Sequence, residues 1–123
     1  MYVPNLKNFR VVARYQIGDY RAVIVTDCES TGTILYTHVL YLFEMGQQTP
    51  CFAVAAETDA MAIERGTTGC FLGVFPGSGH LNMGMSDDWC DLDKFIDKAL
   101  QVTTDHFKIA TAPLALPSNP SLN

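Results

Sequence analysis

Two runs of β-rich residues, 9–17 and 20–27, flank Gly18-Asp19, a two-residue turn of the kind tight hairpins prefer. The turn sets an expected register: Ile17 opposite Tyr20, Tyr15 opposite Ala22, Ala13 opposite Ile24, and Val11 opposite Thr26. Those residues make one mostly apolar face. The other face mixes Arg10, Val12, Arg14 and Gln16 with Arg21, Val23, Val25 and Asp27. Arg10 then lies opposite Asp27, a cross-strand ion pair worth on the order of 0.2–1 kcal/mol.

Turn residues ESTGT at 29–33 precede the longest apolar run, 34–45, and the loop 46–49 leads to a returning strand, 50–57. Pairing about that loop sets Phe43, Tyr41 and Val39 against Phe52, Val54 and Ala56. On the reverse face it sets Glu44, Leu42, Leu40 and His38 against Cys51, Ala53, Ala55 and Glu57. Both faces are apolar, whereas a sheet covered on one side only alternates more cleanly. A second layer must therefore cover the other face. Residues 58–69 read either as a short helix over 60–65, capped by Asp59 and ended by Gly66, or as a hairpin loop.

A third pair of strands follows at 70–75 and 80–85, about the turn 76–79. It sets Val74, Leu72 and Cys70 against Leu81, Met83 and Met85, six core residues. Its outer face sets Phe75 against His80, Gly73 against Asn82 and Phe71 against Gly84. Ser86-Asp87-Asp88 then offers cap oxygens and negative charge to a helix start. Leu92, Phe95, Ile96, Ala99, Val102, Thr103 and Phe107 recur at three and four residues, one apolar stripe of a long helix. The expected fold is an α+β domain over residues 1–110: an antiparallel sheet of about six strands in three hairpins, packed on one C-terminal helix. The uncharged, proline-bearing end, 111–123, reads as an extended or disordered tail. A single helix leaves the second sheet face open, so a homodimer is the expected cover.

Composition narrows the function classes. The chain has 123 residues, 48% of them hydrophobic and 17% charged, enough apolar matter for one packed domain. A net charge of −5 argues against nucleic acid as the main partner. No run nears the roughly 18 apolar residues of a membrane span, and the first residues lack the apolar region of a signal peptide, so a cytoplasmic location and no membrane partner are expected. Charge is uneven, with Arg10, Arg14 and Arg21 all inside the first 26 residues. Basic side chains there suit an outer strand that must stay unpaired.

Candidate chemistry is sparse. Cys28, Cys51, Cys70 and Cys90 form no C-x-x-C pair, and in a reducing compartment all four are expected as free thiols. Asp87, Asp88 and Asp91 would oppose a thiolate at Cys90. The turn FPGSGH lacks the lysine of a phosphate-binding loop and reads as turn glycines. His38 opposite Glu57 would make an acid–base pair, or else a core histidine satisfied by a neighbour. His106 near the helix end suits the helix dipole. No cofactor or metal site is expected. The most informative surface is the outer face of the third pair of strands: Phe71, Gly73, Phe75, His80 and Asn82 combine aromatics, one imidazole, one amide and a strand glycine. Glycine inside a strand marks close approach by a backbone or ligand, and aromatics beside a few polar groups suit a pocket. The alternative is that these residues only pack. The reading that fits best is a small interaction or regulatory module acting as a homo-oligomer, which leans away from an enzyme without excluding one. The alternatives are a small-ligand-binding domain or a hydrolase or transferase using a histidine.

Overall fold

The computed structural model of the chain describes residues 3–59 and 70–117. Among these residues seven antiparallel strands form one sheet in the order β6-β5-β4-β3-β2-β1-β7. They are β1 Leu6–Ile17, β2 Tyr20–Ser30, β3 Ile34–Glu44, β4 Phe52–Asp59, β5 Cys70–Phe75, β6 Leu81–Ser86 and β7 Leu114–Ala115. One helix, α1 (Leu92–Phe107), lies across β3 and β4. The α+β architecture matches the sequence expectation, with one strand more. That strand comes from the segment expected as an extended or disordered tail: Gln16 pairs with Leu114 and Tyr15 with Ala115, covering part of the outer edge of β1. The alternative helix or loop of residues 60–69 lies outside the described residues.

The first turn forms as its residues dictate. Gly18 takes φ +57°, a left-handed conformation that costs glycine nothing, and β1 pairs with β2 in the expected register from Ile17–Tyr20 to Ala13–Ile24. Beyond that a bulge intervenes, so Val11 meets Val25 and Arg10 meets Thr26. The extra residue sends Val12 to the helix-side core and Val11 to the opposite one. Arg10 still reaches Asp27, Nε to Oδ2 at 2.7 Å, an exposed pair.

The β3–β4 register differs from the expectation by one residue. Leu42 pairs with Phe52, Leu40 with Val54 and His38 with Ala56. The loop is longer than its turn residues suggest, with Gly46 at φ +80° and the Cys51 amide donating to the Leu42 carbonyl at 2.8 Å. A one-residue slip moves every side chain of a strand to the other face. Phe52, Val54 and Ala56 therefore join Leu40 and Leu42 under α1, against Phe95 and Ala99. Ala53, Ala55 and Glu57 face away.

The helix stripe is as its spacing predicts: Phe95, Ala99 and Thr103 are fully buried, and Leu92, Ile96, Val102 and Phe107 pack on the same core. Its start is displaced. Ser86 caps a 3₁₀ turn, Asp87–Cys90, and Asp91 then adopts an extended conformation and caps α1, its Oδ2 accepting from the Lys94 amide at 3.1 Å. At the far end Lys108 takes the left-handed conformation, φ +55°, and closes the helix with Ile109 N–H on the Thr104 carbonyl.

The second face closes within the chain. Val25, Val39, Ala53, Ala55 and Phe75 are at most 1% exposed, packed by Val3, Leu6, Val11, Tyr36 and Tyr41. The segment before β1 straps this face: Pro4 is buried and its carbonyl accepts from the Tyr41 hydroxyl at 2.6 Å. The apolar surplus that motivated a dimer across the sheet is thus satisfied by the protomer itself. A further correction concerns sulfur. Cys70 and Cys90 form a disulfide, whereas four free thiols were expected; Cys28 and Cys51 are free. The 3₁₀ turn folds back beside the start of β5 and brings together two cysteines 20 residues apart. No described helix is long and apolar enough to cross a membrane.

Candidate functional site

Glu57 and His80 meet over Gly73. Each belongs to a different strand region: Glu57 to β4, Gly73 to β5, and His80 to the residue just before β6. His80 Nε2 stands 3.0 Å from both carboxylate oxygens of Glu57, with a hydrogen bond donated to Oε2, while Oε1 is buried without a hydrogen-bond partner. The imidazole stacks on Phe75, ring centres 4.4 Å apart and planes within 5°. A methyl group on Gly73 would stand 2.6 Å from the Glu57 carboxyl carbon and 2.7 Å from His80 Nε2. The strand glycine is there because the pair occupies the space a side chain would take.

Glu57 is 5% exposed, and burial pushes its carboxyl above the ordinary value of 4.5, against the charge and hydrogen bond of His80, which pull it down. A carboxylate that fixes an imbalanced imidazole proton on one nitrogen is the orienting half of an acid–base dyad. The same contacts also tie the entry of β6 to β4 across β5.

The sequence-selected residues separate on inspection. Phe75, Gly73 and His80 converge, His80 stacking on Phe75 and lying over Gly73. Asn82 pairs with Gly73 but is exposed, and its Oδ1 accepts from the Gly84 amide at 2.8 Å, a local turn contact. Phe71 lies half-buried opposite Glu57 on β4 and opposite Met85, not Gly84, on β6, because a bulge shifts the register between Phe71 and Gly73. The pairing of His38 with Glu57 is overturned. A bulge between Tyr36 and His38 sets Tyr36 opposite Glu57, and His38 faces the helix side. There its Nε2 donates to the Cys90 carbonyl at 2.9 Å, which leaves Nδ1 to accept from the Thr26 hydroxyl at 2.8 Å. His38 is a buried histidine with both nitrogens satisfied, pinning the 3₁₀ turn to the sheet. Sequence reasoning missed Glu57–His80 because the partners lie on non-adjacent strands, and the only local signal was the glycine between them.

The second feature of this region is β6 itself. Leu81, Met83 and Met85, expected as core, are 54%, 54% and 58% exposed, whereas Cys70, Leu72 and Val74 of the neighbouring β5 are buried. The helix covers the sheet as far as β5, and β6 extends past it. Leu81 and Met83 line one side of a groove of about 360 Å³, with Val102, Lys98, Asp105 and His106 of α1 on the other side. Among the described residues no group of three or more His, Cys, Asp or Glu side chains is placed to hold a metal ion. No protein-family model, curated protein or solved structure matches the chain.

Proposed function

We propose that this protein is a small interaction module that works as a homodimer, joined through antiparallel pairing of two β6 edges. The observation that carries the reading is the contrast between the two sheet edges. An edge strand offers unpaired N–H and C=O groups, and natural proteins blunt such edges with charge, proline or cover. The β1 edge carries Lys7, Arg10 and Arg14 and is partly covered by β7. The β6 edge, LNMGMS, has no charged residue and no proline, and presents three exposed apolar side chains. That composition suits a strand meant to be paired.

A second copy is the occupant that the groove favours. Lys98 and Asp105 sit on one rim, so the same patch offers both signs of charge. A two-fold interface is self-complementary: Lys98 of each copy, whose Nζ lies 5.9 Å over the Trp89 ring, would turn to Asp105 of the other while Leu81 and Met83 pack at the centre. In this reading Glu57, Gly73, Phe75 and His80 brace the inner side of the working edge, and Phe71 and Asn82 belong to its back and rim. Sedimentation velocity at micromolar concentrations tests it. The expected result is a dimer for the unaltered chain and for Phe9→Glu, which adds charge at the opposite edge. Leu81→Glu and Met83→Lys should sediment as folded monomers. A monomeric unaltered chain, or a dimer that survives both β6 changes, overturns the reading.

A further inference from the structure

The two ends of the Cys70–Cys90 bond sit in unlike surroundings. Cys70 opens β5, is 1% exposed and belongs to the core under α1. Cys90 ends the 3₁₀ turn and is exposed. The hydroxyls of Thr58 and Thr37 lie 3.6 Å and 3.9 Å from Cys70 Sγ. A disulfide sulfur carries no hydrogen, so in both contacts the hydroxyl is the donor, and donors favour the anionic form of the atom they reach. Cys90 instead has Asp87 and Asp88 before it and Asp91 after it, all exposed. Negative charge there disfavours a thiolate on Cys90. When a thiol attacks a disulfide, access decides which sulfur is struck, and thiolate stability decides which sulfur leaves. Access picks Cys90 as the sulfur struck; burial opposes a thiolate on Cys70, the two threonine hydroxyls act against that cost, and the aspartates disfavour Cys90 as the leaving sulfur.

We propose that Cys70–Cys90 is a thiol-exchange site, at which a small cationic or neutral thiol adds reversibly to Cys90 and Cys70 acts as the leaving and resolving cysteine. The incoming thiolate attacks Cys90 Sγ from solvent. A bond forms between its sulfur and Cys90 Sγ, the Sγ–Sγ bond breaks, and the electron pair goes to Cys70 Sγ beside the two threonine hydroxyls. The incoming sulfur is oxidised to the disulfide level as Cys70 is reduced, so no other oxidant is needed. Return attack by the Cys70 thiolate on Cys90 Sγ expels the small thiol and restores the bond. Asp87 and Asp91 select the partner, since Asp88 is already paired with Lys94 at 3.3 Å: an amine-bearing thiol is drawn to them and a carboxylate-bearing thiol repelled. Cys28 and Cys51 compete poorly, because burial pushes the Cys28 thiol up to about 11 and the Cys51 thiol upward as well. The site stands independently of β6 pairing.

The test exposes the oxidised full chain to cysteamine, 2-mercaptoethanol or mercaptoacetate at matched thiolate concentration. Samples are quenched with acid, alkylated and mapped by mass spectrometry. The expected result is a transient adduct on Cys90 with Cys70 alkylated as a free thiol. Rates should fall from the cationic to the anionic reagent by on the order of threefold at low salt and converge at high salt. Cys70→Ser has no bond to exchange, so it is treated with cystamine, the disulfide form of the reagent, and should hold its Cys90 adduct unresolved; Thr58→Ala with Thr37→Val should slow opening of the oxidised chain several-fold. An adduct on Cys70, equal labelling of both cysteines, or opening no faster than global unfolding overturns the proposal. If Cys70→Ser does not fold, the mapping on the unaltered chain decides alone.

Discussion

At the residue scale, the Glu57–His80 pair shows how one absent side chain creates room for two others. A Cβ on Gly73 collides with both partners, and Glu57 is too buried to swing aside. Gly73→Ala is therefore expected to cost about 1–3 kcal/mol in urea denaturation, as overpacking does. Adding His80→Ala should recover part of that loss, because one of the two colliding groups is gone; strictly additive losses would show that the methyl group clashes with neither. The raised carboxyl of Glu57 has a pH consequence. Where the folded state keeps a proton that the unfolded chain has released, the group favours folding. Its contribution is complete below the ordinary value of 4.5 and is lost as pH rises through the raised folded value. Glu57→Gln never ionises, so its stability should decline less steeply than the unaltered chain's as pH rises from the ordinary value of 4.5 through the raised folded value. Parallel profiles would refute the assignment. The glycine was legible as a site of close approach, but its occupants were not, since Glu57 is far along the chain from both Gly73 and His80.

At the scale of elements, α1 follows from its sequence almost position by position, because a stripe at three- and four-residue spacing is a local property. Its start does not, since Ser86 and Asp91 are both competent caps and the chain uses them in succession, one for the 3₁₀ turn and one for the helix. Asp91→Ala should lower stability by about 1 kcal/mol, and Asp91→Asn should retain most of it, because an amide oxygen also accepts from the Lys94 amide. Equal losses for the two changes would assign the role of Asp91 to charge alone. The strands divide in the same way. The Gly18-Asp19 turn decides the first register through backbone conformation, while β3 and β4 are apolar on both faces and accept either of two registers on pattern alone. Packing of Phe52 and Val54 beneath Phe95 and Ala99 selects one of them.

At the scale of the whole molecule, the disulfide closes a 20-residue span holding β5, β6 and the 3₁₀ turn, the part of the sheet least covered by the helix. By loop-closure entropy such a cross-link stabilises by about 3 kcal/mol. Reduction with excess dithiol is therefore expected to lower the melting temperature by about 10 °C, read by circular dichroism at matched protein concentration. An unchanged melting temperature would mean that the bond does not constrain the folded chain. The expectation of four free thiols was drawn from an expected reducing compartment, and the Cys70–Cys90 bond counts against that premise.

Neighbouring residues decide among themselves the tight turn at Gly18, the β-rich runs that became β1 to β6 and the amphipathic stripe of α1, and so an antiparallel α+β sheet with a C-terminal helix. Tertiary structure alone decided the rest. The β3–β4 register, the bulges that separate His38 from Glu57, the Cys70–Cys90 bond, the strapping of the second face by the Pro4 segment and the exposure of Leu81, Met83 and Met85 each depend on segments distant in sequence. Turn chemistry and periodicity act over a few residues. Which face a strand presents, and what covers it, is settled only when helix, strap and neighbouring strands compete for the same apolar surface, and no local pattern encodes the outcome of that competition.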